Sequence, residues 1–321
     1  MASSPQQPVS LRTDNSTPGD PEIALLKQQV QEGRFEGLRD YLFRTRAIGD
    51  WQDRLHVLAR VSPKVSIDAL DDLCSAESEA ADLHMIRCAY YCELAATMRG
   101  SGTADQVGSA RFQNAAECVK AALSDMRKST QLDDRDPTAY TLVLKPLTIF
   151  SQTELQQKAF ASATAIAPDL VPAHFALISP LSKRWGGSHE ASLSFARQAM
   201  TRAVPGSDMA ACLFWAHTLV RTHFVHFDKD TQAAKQYALK PKVATELNEA
   251  LDQWLLPSFV PRRSSISFLY KASEWYRAVM DIDRLNRVIA FTGEELKLPT
   301  GAKPAPRKTN GGGLLGWILG K

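Results

Sequence analysis

The stretch from Asp136 to Ser207 reads DPTAYTLVLKPLTIFSQTELQQKAFASATAIAPDLVPAHFALISPLSKRWGGSHEASLSFARQAMTRAVPGS, and its punctuation decides the fold. Two consecutive helix-turn-helix units lie in it, divided by the unequally spaced prolines Pro137, Pro168 and Pro205. In the first unit Tyr140 and Phe160 bring one ring from each helix into the space between them. Ala163 lets the next unit approach closely, and Pro168 ends the second helix because it has no N–H to donate. The second unit turns on Trp185-Gly186-Gly187-Ser188-His189-Glu190. Its glycines permit the positive φ that stops a helix, Ser188 caps the next one, and Glu190 sits at the positive end of that helix's dipole.

Working outward, each apolar segment repeats with the helical period and each break carries a cap, a glycine or a proline. Asp20-Pro21-Glu22 opens a helix with Ile23, Leu26 and Val30 on its buried stripe, and Gly33 closes it. Further helices are expected over Phe35–Arg46, from Trp51 to Pro63, after a Ser66 cap, and over 80–98. Thr103 and Gln106 form a capping-box pattern for a helix over 104–127. Downstream, a long helix is expected over 208–227, then an interruption at Pro241, a helix over Val243–Leu256, and two last helices over 265–280 and 283–296. No alternating strand segment with hairpin turns occurs, so the expected body, from Asp20 to Leu296, is all-α.

The spacing of Tyr140, Phe160, Ala163 and Pro168 is that of the tetratricopeptide repeat, which has a period of about 34 residues. Together with it, the runs Arg99-Gly100-Ser101-Gly102 (RGSG), Lys183-Arg184 followed by WGGSHE, Phe195-Ala196-Arg197, Pro205-Gly206-Ser207 (PGS) and Ala216-His217 resemble an uncharacterised bacterial family of tetratricopeptide-like helical-repeat proteins. The likeness covers roughly 79–227. Gln156 stands where the repeat prefers alanine and Leu144 where it prefers a small residue. The resemblance implies a right-handed α-α superhelix, or solenoid, and no activity, cofactor or catalytic residue.

The 321 residues, 44% of them hydrophobic, suffice for a sizeable core. A net charge of +3 with 23% charged residues is near balance, which argues against a dedicated nucleic-acid surface. The N-terminus lacks a basic-then-apolar signal pattern, and no run reaches the roughly 20 apolar residues that span a bilayer. Five scattered cysteines fit a reducing compartment, and a cytoplasmic location is expected.

Residues 1–19 are rich in Ser, Pro, Gln and Thr and should form a disordered arm. At the other end, residues 297–313 carry Lys297, Lys303, Arg307 and Lys308 among prolines and read as a flexible basic tether. Residues 314–321 hold Leu314, Leu315, Trp317, Ile318 and Leu319, a segment too apolar for a linker and too short to span a membrane. Burying its five large side chains yields at most about 7–15 kcal/mol, and ordering its backbone costs about 8–16 kcal/mol, so it should dock weakly. A partner groove, its own body, or weak contact with an anionic membrane surface are the alternatives.

Histidines and cysteines supply the chemical candidates. His84, Cys88 and Cys92 recur every fourth residue on one helical face, a spacing compatible with a soft metal and equally with close helix packing. His223, His226 and Asp230 lie on one side of the 208–227 helix, although Asp230 also suits an N-cap and no Glu-x-x-His partner appears. His217 shares the apolar stripe of Leu213, Val220 and Phe224, where a histidine is usually a core residue with a satisfied ring. The helix start after Trp185, Gly186, Gly187, Ser188 and His189 could receive an anion. No nucleophile elbow, His-Glu-x-x-His or phosphate loop is present.

The reading reached from sequence is a non-enzymatic protein-protein interaction scaffold with no cofactor. A protein or peptide partner would lie in a concave groove lined by Thr138, Thr141, Lys145, Lys183 and Arg221. The alternative is an enzyme around His217, Trp185 and His189, or a metal site at His223 and His226.

Overall fold

The structure is a computed structural model that describes residues 20–100 and 108–292. The N-terminal arm, the Thr103/Gln106 pair, the tether and the segment with Leu314, Leu315, Trp317, Ile318 and Leu319 lie outside the described residues.

The described residues fold into helices and contain no strand. In order these are α1 (Pro21–Gln31), α2 (Glu36–Ala47), α3 (Trp51–Val61), α4 (Ile67–Ala76), α5 (Ala81–Arg99), α6 (Ser109–Leu132), α7 (Thr138–Ile149), α8 (Thr153–Ile166), α9 (Val171–Leu181), α10 (His189–Thr201), α11 (Ala211–His226), α12 (Thr231–Ala238), α13 (Pro241–Trp254), α14 (Arg263–Val279) and α15 (Ile282–Thr292). Local chemistry accounts for many of the ends. Asp20 accepts from the N–H groups of Glu22 and Ile23, both at 3.1 Å, and Asp230 from Ala233 at 2.7 Å, satisfying donors that a first turn leaves open.

Three expectations shift. Ser66 precedes α4 without capping it. The helix expected over 104–127 is observed as α6, from Ser109 to Leu132. Pro241 opens α13, since a first-turn proline gives up an N–H that has no helical partner anyway.

The WGGSHE turn uses its two glycines differently. Gly186 has φ +89°, the left-handed region, whereas a Cβ on Gly187 would lie 2.1 Å from the Leu181 carbonyl oxygen. That carbonyl accepts from the Ser188 N–H at 2.9 Å while Ser188 Oγ accepts from the Ala191 N–H at 3.0 Å. One serine therefore closes α9 and opens α10.

The helices pair in sequence, α5 with α6, α7 with α8, α9 with α10 and α11 with α12, and the first members α5, α7, α9 and α11 each pack on the next. Small residues at the contacts, such as Ala163 on α8 and Ala196 on α10, are fully buried and allow close approach. α9 joins two cores. Ala173 and Ala176 belong to the one built by α1–α8, and Val171, Phe175 and Ile178 to the one built by α10–α15.

α14 departs from this nearest-neighbour order. It returns along the chain to pack on both α3 and α11, and buries residues on every side, including Ile266, Phe268, Leu269, Trp275 and Tyr276. Its first residue, Arg263, bonds Asp20 and Glu22 of the chain's first helix at 2.8 Å each, and Arg262 reaches Asp50 at 3.4 Å.

Gly187→Ala is expected to destabilise the protein by about 1–3 kcal/mol, because a backbone carbonyl must move to admit the methyl group. Gly186→Ala should cost about 1–2 kcal/mol from backbone conformation alone. Urea denaturation should rank Gly187→Ala as the more damaging change.

Candidate functional site

The proposed groove residues are placed by α7 and by the end of α9. α7 buries every side chain but Tyr140, because α3, α5, α6, α8 and α9 surround it. The groove expectation for its residues is thereby corrected. Thr138 and Thr141 are buried, with Thr141 Oγ1 donating to the Pro137 carbonyl at 2.9 Å, and Lys145 is only 6% exposed. Lys183 is exposed in the turn after α9, 4.0 Å from Asp228, and Arg221 is half-buried on α11. Lys145 and Lys183 therefore do not line one open groove.

α14 contributes to what covers Lys145. Its Phe268 meets Phe175 of α9 edge-on with centroids 5.4 Å apart, and its Ser267 accepts from Arg60 of α3 at 3.2 Å. Lys271 lies 5.6 Å over the Trp215 ring of α11 and bonds Glu274 at 2.8 Å. Between α3, α7, α9 and α14 remains a narrow hollow of about 40 Å³. Burial pushes the Lys145 amine down to about 8, while Glu93 and Cys92 of α5 pull it upward. On the opposite wall His56 is held well below the usual histidine range, first by burial and then by the charges of Arg60 and Arg263.

Sequence reasoning missed Gln52, His56, Ser267 and Phe268 as residues of one hollow. One signal was available in α14. Ser264, Ser265, Ser267 and Ser273 interrupt its apolar residues on several sides, the mark of a helix surrounded by protein; Ser273 bonds back to the Tyr270 carbonyl, while Ser265 and Ser267 meet Asp208 and Arg60 from other parts of the chain.

A second, open cleft of about 490 Å³ lies where α2, the start of α3 and the start of α14 meet. Glu22, Tyr41, Arg44, Asp53 and Arg263 form its floor, and Phe43 and Ile48 stand at its edge, 73% and 77% exposed.

The histidine candidates resolve into three places. His84 has both ring nitrogens engaged, by Asp125 at 3.2 Å and by the Ser78 carbonyl at 3.0 Å, and Cys88 and Cys92 are fully buried. Its hydrogen bond to Cys92, followed by burial, pushes the Cys88 thiol up, so that it stays protonated. His189 meets His223 with centroids 5.1 Å apart, and His223 stacks on Phe227 with its Nε2 3.5 Å from Asp228. The turn and the end of α11, separate candidates in the sequence, thus adjoin. His226 is exposed beyond them, and Asp230 caps α12. Among the described residues no three His, Cys, Asp or Glu side chains converge as a metal site requires.

His217 sits apart from that pair. Its Nδ1 is 2.7 Å from the Tyr237 hydroxyl and its Nε2 3.1 Å from Glu246 Oε2, while Arg197 donates to both Glu246 oxygens at 2.6 and 3.1 Å. Because an ionised Glu246 only accepts, Nε2 carries a proton, and Nδ1 shares its hydrogen bond with the Tyr237 hydroxyl. Burial would raise the Glu246 carboxyl, but His217 and Arg197 outweigh it and hold it at about 2.

No described helix is long and apolar enough to cross a membrane. Comparison of the chain with family models, with curated proteins and with solved structures finds no match in any of the three.

Glu246 binds fewer protons folded than unfolded, so its contribution is present above the unfolded value near pH 4.5 and is lost as pH falls toward about 2. Glu246→Gln should lower stability by about 3 kcal/mol at pH 7, and the difference from wild type should shrink steadily below about pH 4.5. Chemical denaturation of both proteins across that range measures it.

Proposed function

We propose that this protein is a non-enzymatic interaction scaffold of the tetratricopeptide-like kind, a right-handed α-α superhelix of helix pairs whose inner face is taken by its own α14. The packing of α5, α7, α9 and α11 on one another supports the superhelical part of this reading. Burial of five large side chains of α14 contributes up to about 8–15 kcal/mol, comparable to the whole stability of an ordinary domain. A partner that displaced α14 would have to unfold the protein, so the partner site lies elsewhere.

The observation that carries the reading is the exposure of Phe43 and Ile48 at the rim of the open cleft. An aromatic and a branched aliphatic side chain side by side at a hollow, ringed by charged groups, have the anatomy of an interface core with its polar rim. Glu22, Asp50 and Asp53 there are already matched by Arg44, Arg262 and Arg263, so the cleft selects a partner by an apolar side chain rather than by charge. Kinship with the bacterial helical-repeat family, a cytoplasmic setting, disordered ends and a docking role for the apolar C-terminal segment belong to the same proposal. An enzyme around His217 has less support, because both of its ring nitrogens are engaged within the protein.

A photo-crosslinking amino acid placed at position 43 or 48 in the protein's own cell is expected to trap one discrete protein. The same label at Leu239, an exposed position in the turn after α12, should not trap it. Identical adducts from all three positions, or none from 43 and 48, would remove the assignment.

A further inference from the structure

The hollow beneath α14 has walls of two kinds. Leu55 of α3, Phe175 of α9 and Phe268 of α14 make an apolar side, while Gln52 and His56 of α3, Lys145 of α7 and Ser267 of α14 bring polar groups to the same space. Helical geometry explains the convergence. Gln52 and His56 are four residues apart on one helix, as are Thr141 and Lys145 on another, so each pair presents one face inward. At about 10–15 Å³ for each water centre, 40 Å³ holds three or four small atoms' worth of ligand.

The charges decide what kind. No described residue hydrogen-bonds the His56 ring, whose remaining surface meets the hollow it lines. The ring is neutral because burial and the positive charges of Arg60 and Arg263 disfavour its protonation, which leaves one N–H to donate. Arg60, directly after the lining residue Ala59, donates to Ser267 Oγ and to the His56 carbonyl, both at 3.2 Å. Among the described residues it has no carboxylate within ion-pair distance. Lys145 adds a second cation, in the field of Glu93. Burial disfavours charge of either sign, so the choice rests on the lining itself: it holds the Lys145 ammonium and the donors of His56 and Ser267 and no carboxylate, which suits an anion rather than a cation. The aromatic side then asks for a short alkyl group.

We propose that this hollow binds a monocarboxylate of two carbons, the size of acetate, its carboxylate received by the Lys145 ammonium, the His56 N–H and the Ser267 hydroxyl, and its methyl group lodged between Phe175 and Phe268. Arg60 acts from behind Ser267, fixing that hydroxyl and supplying positive potential. The site is independent of the partner cleft at Phe43 and Ile48, so either assignment can fail alone.

Ligand-observed NMR of the full chain with acetate and propionate, at ionic strength held constant with chloride, tests the proposal. Saturable binding in the millimolar range or tighter is expected for acetate; propionate, one atom larger than the hollow holds, should bind more weakly, and acetamide, which has the shape of acetate without its charge, at least tenfold more weakly. Lys145→Gln should weaken acetate at least tenfold. Ala59→Leu, which fills the hollow and keeps every charge, should abolish binding while circular dichroism stays helical. Absence of saturable binding would mean that the hollow holds water alone, and equal binding of acetamide would remove anion recognition; either result overturns the proposal. So does acetate binding that survives in folded Ala59→Leu, since the ion would then sit elsewhere. The comparison of acetate with acetamide uses wild-type protein and stands even if neither variant folds.

Discussion

The burial of α14 on all sides is the constraint on which the rest of the structure depends. A stack of helix pairs satisfies each pair with its neighbours and leaves one face open. In this chain α14 packs across the earlier helices, with Phe268 against Phe175, Lys271 over Trp215 and Arg263 against Asp20 and Glu22. Contacts between residues more than two hundred positions apart make the molecule behave as one body instead of a row of separable units. The helix also limits the space it shares with α3, α7 and α9 to a small hollow of about 40 Å³.

Burying a polar-rich helix has a cost that hydrogen bonds offset. Ser265 accepts from the Arg262 N–H at 3.0 Å and donates to Asp208 at 2.7 Å, and Trp254 donates to the same carboxylate at 3.0 Å. Burial nevertheless raises the Asp208 carboxyl above its ordinary range. Arg54 and Asp136 form a comparable buried pair at 2.7 Å between α3 and the start of α7, where Asp136 also accepts from the Thr138 N–H at 2.8 Å. Such a pair adds little net stability against an apolar replacement, yet removing one partner strands the other, at about 3–5 kcal/mol. Its effect is to allow one docking of α3 against α7.

Much of the fold was legible in the sequence because it is local. Asp20, Ser188 and Asp230 cap helices by bonds spanning two or three residues, and Gly186 and Gly187 turn the chain for steric reasons visible in the WGGSHE run. The all-helical class follows from such signals. Lys145 was misplaced for the opposite reason. The repeat frame assigned it to an open groove, but whether its side chain meets water depends in part on a helix that begins more than a hundred residues later. Periodicity reports which face of a helix is apolar, and α7 and α14 are buried nearly all round, so neither has a single stripe to read.

The same distinction separates the histidines. The apolar stripe around His217 pointed to a core histidine with a satisfied ring, with an enzyme as the alternative, and its partners Tyr237 and Glu246 lie twenty and twenty-nine residues away, beyond any local pattern. With both nitrogens engaged and Glu246 clamped by Arg197, the ring links α11, α12, α13 and α10 into one hydrogen-bonded unit. His56 drew no notice in the sequence, since nothing in its neighbourhood of α3 marks it. No described residue hydrogen-bonds its ring, as none bonds the buried Nε2 of His189, and His56 lines a hollow that the return of α14 across α3 helps to enclose. Candidate chemistry in this chain is therefore set by its longest-range contact: a ring with its partners supplied holds helices together, and a ring left without them is available to a ligand.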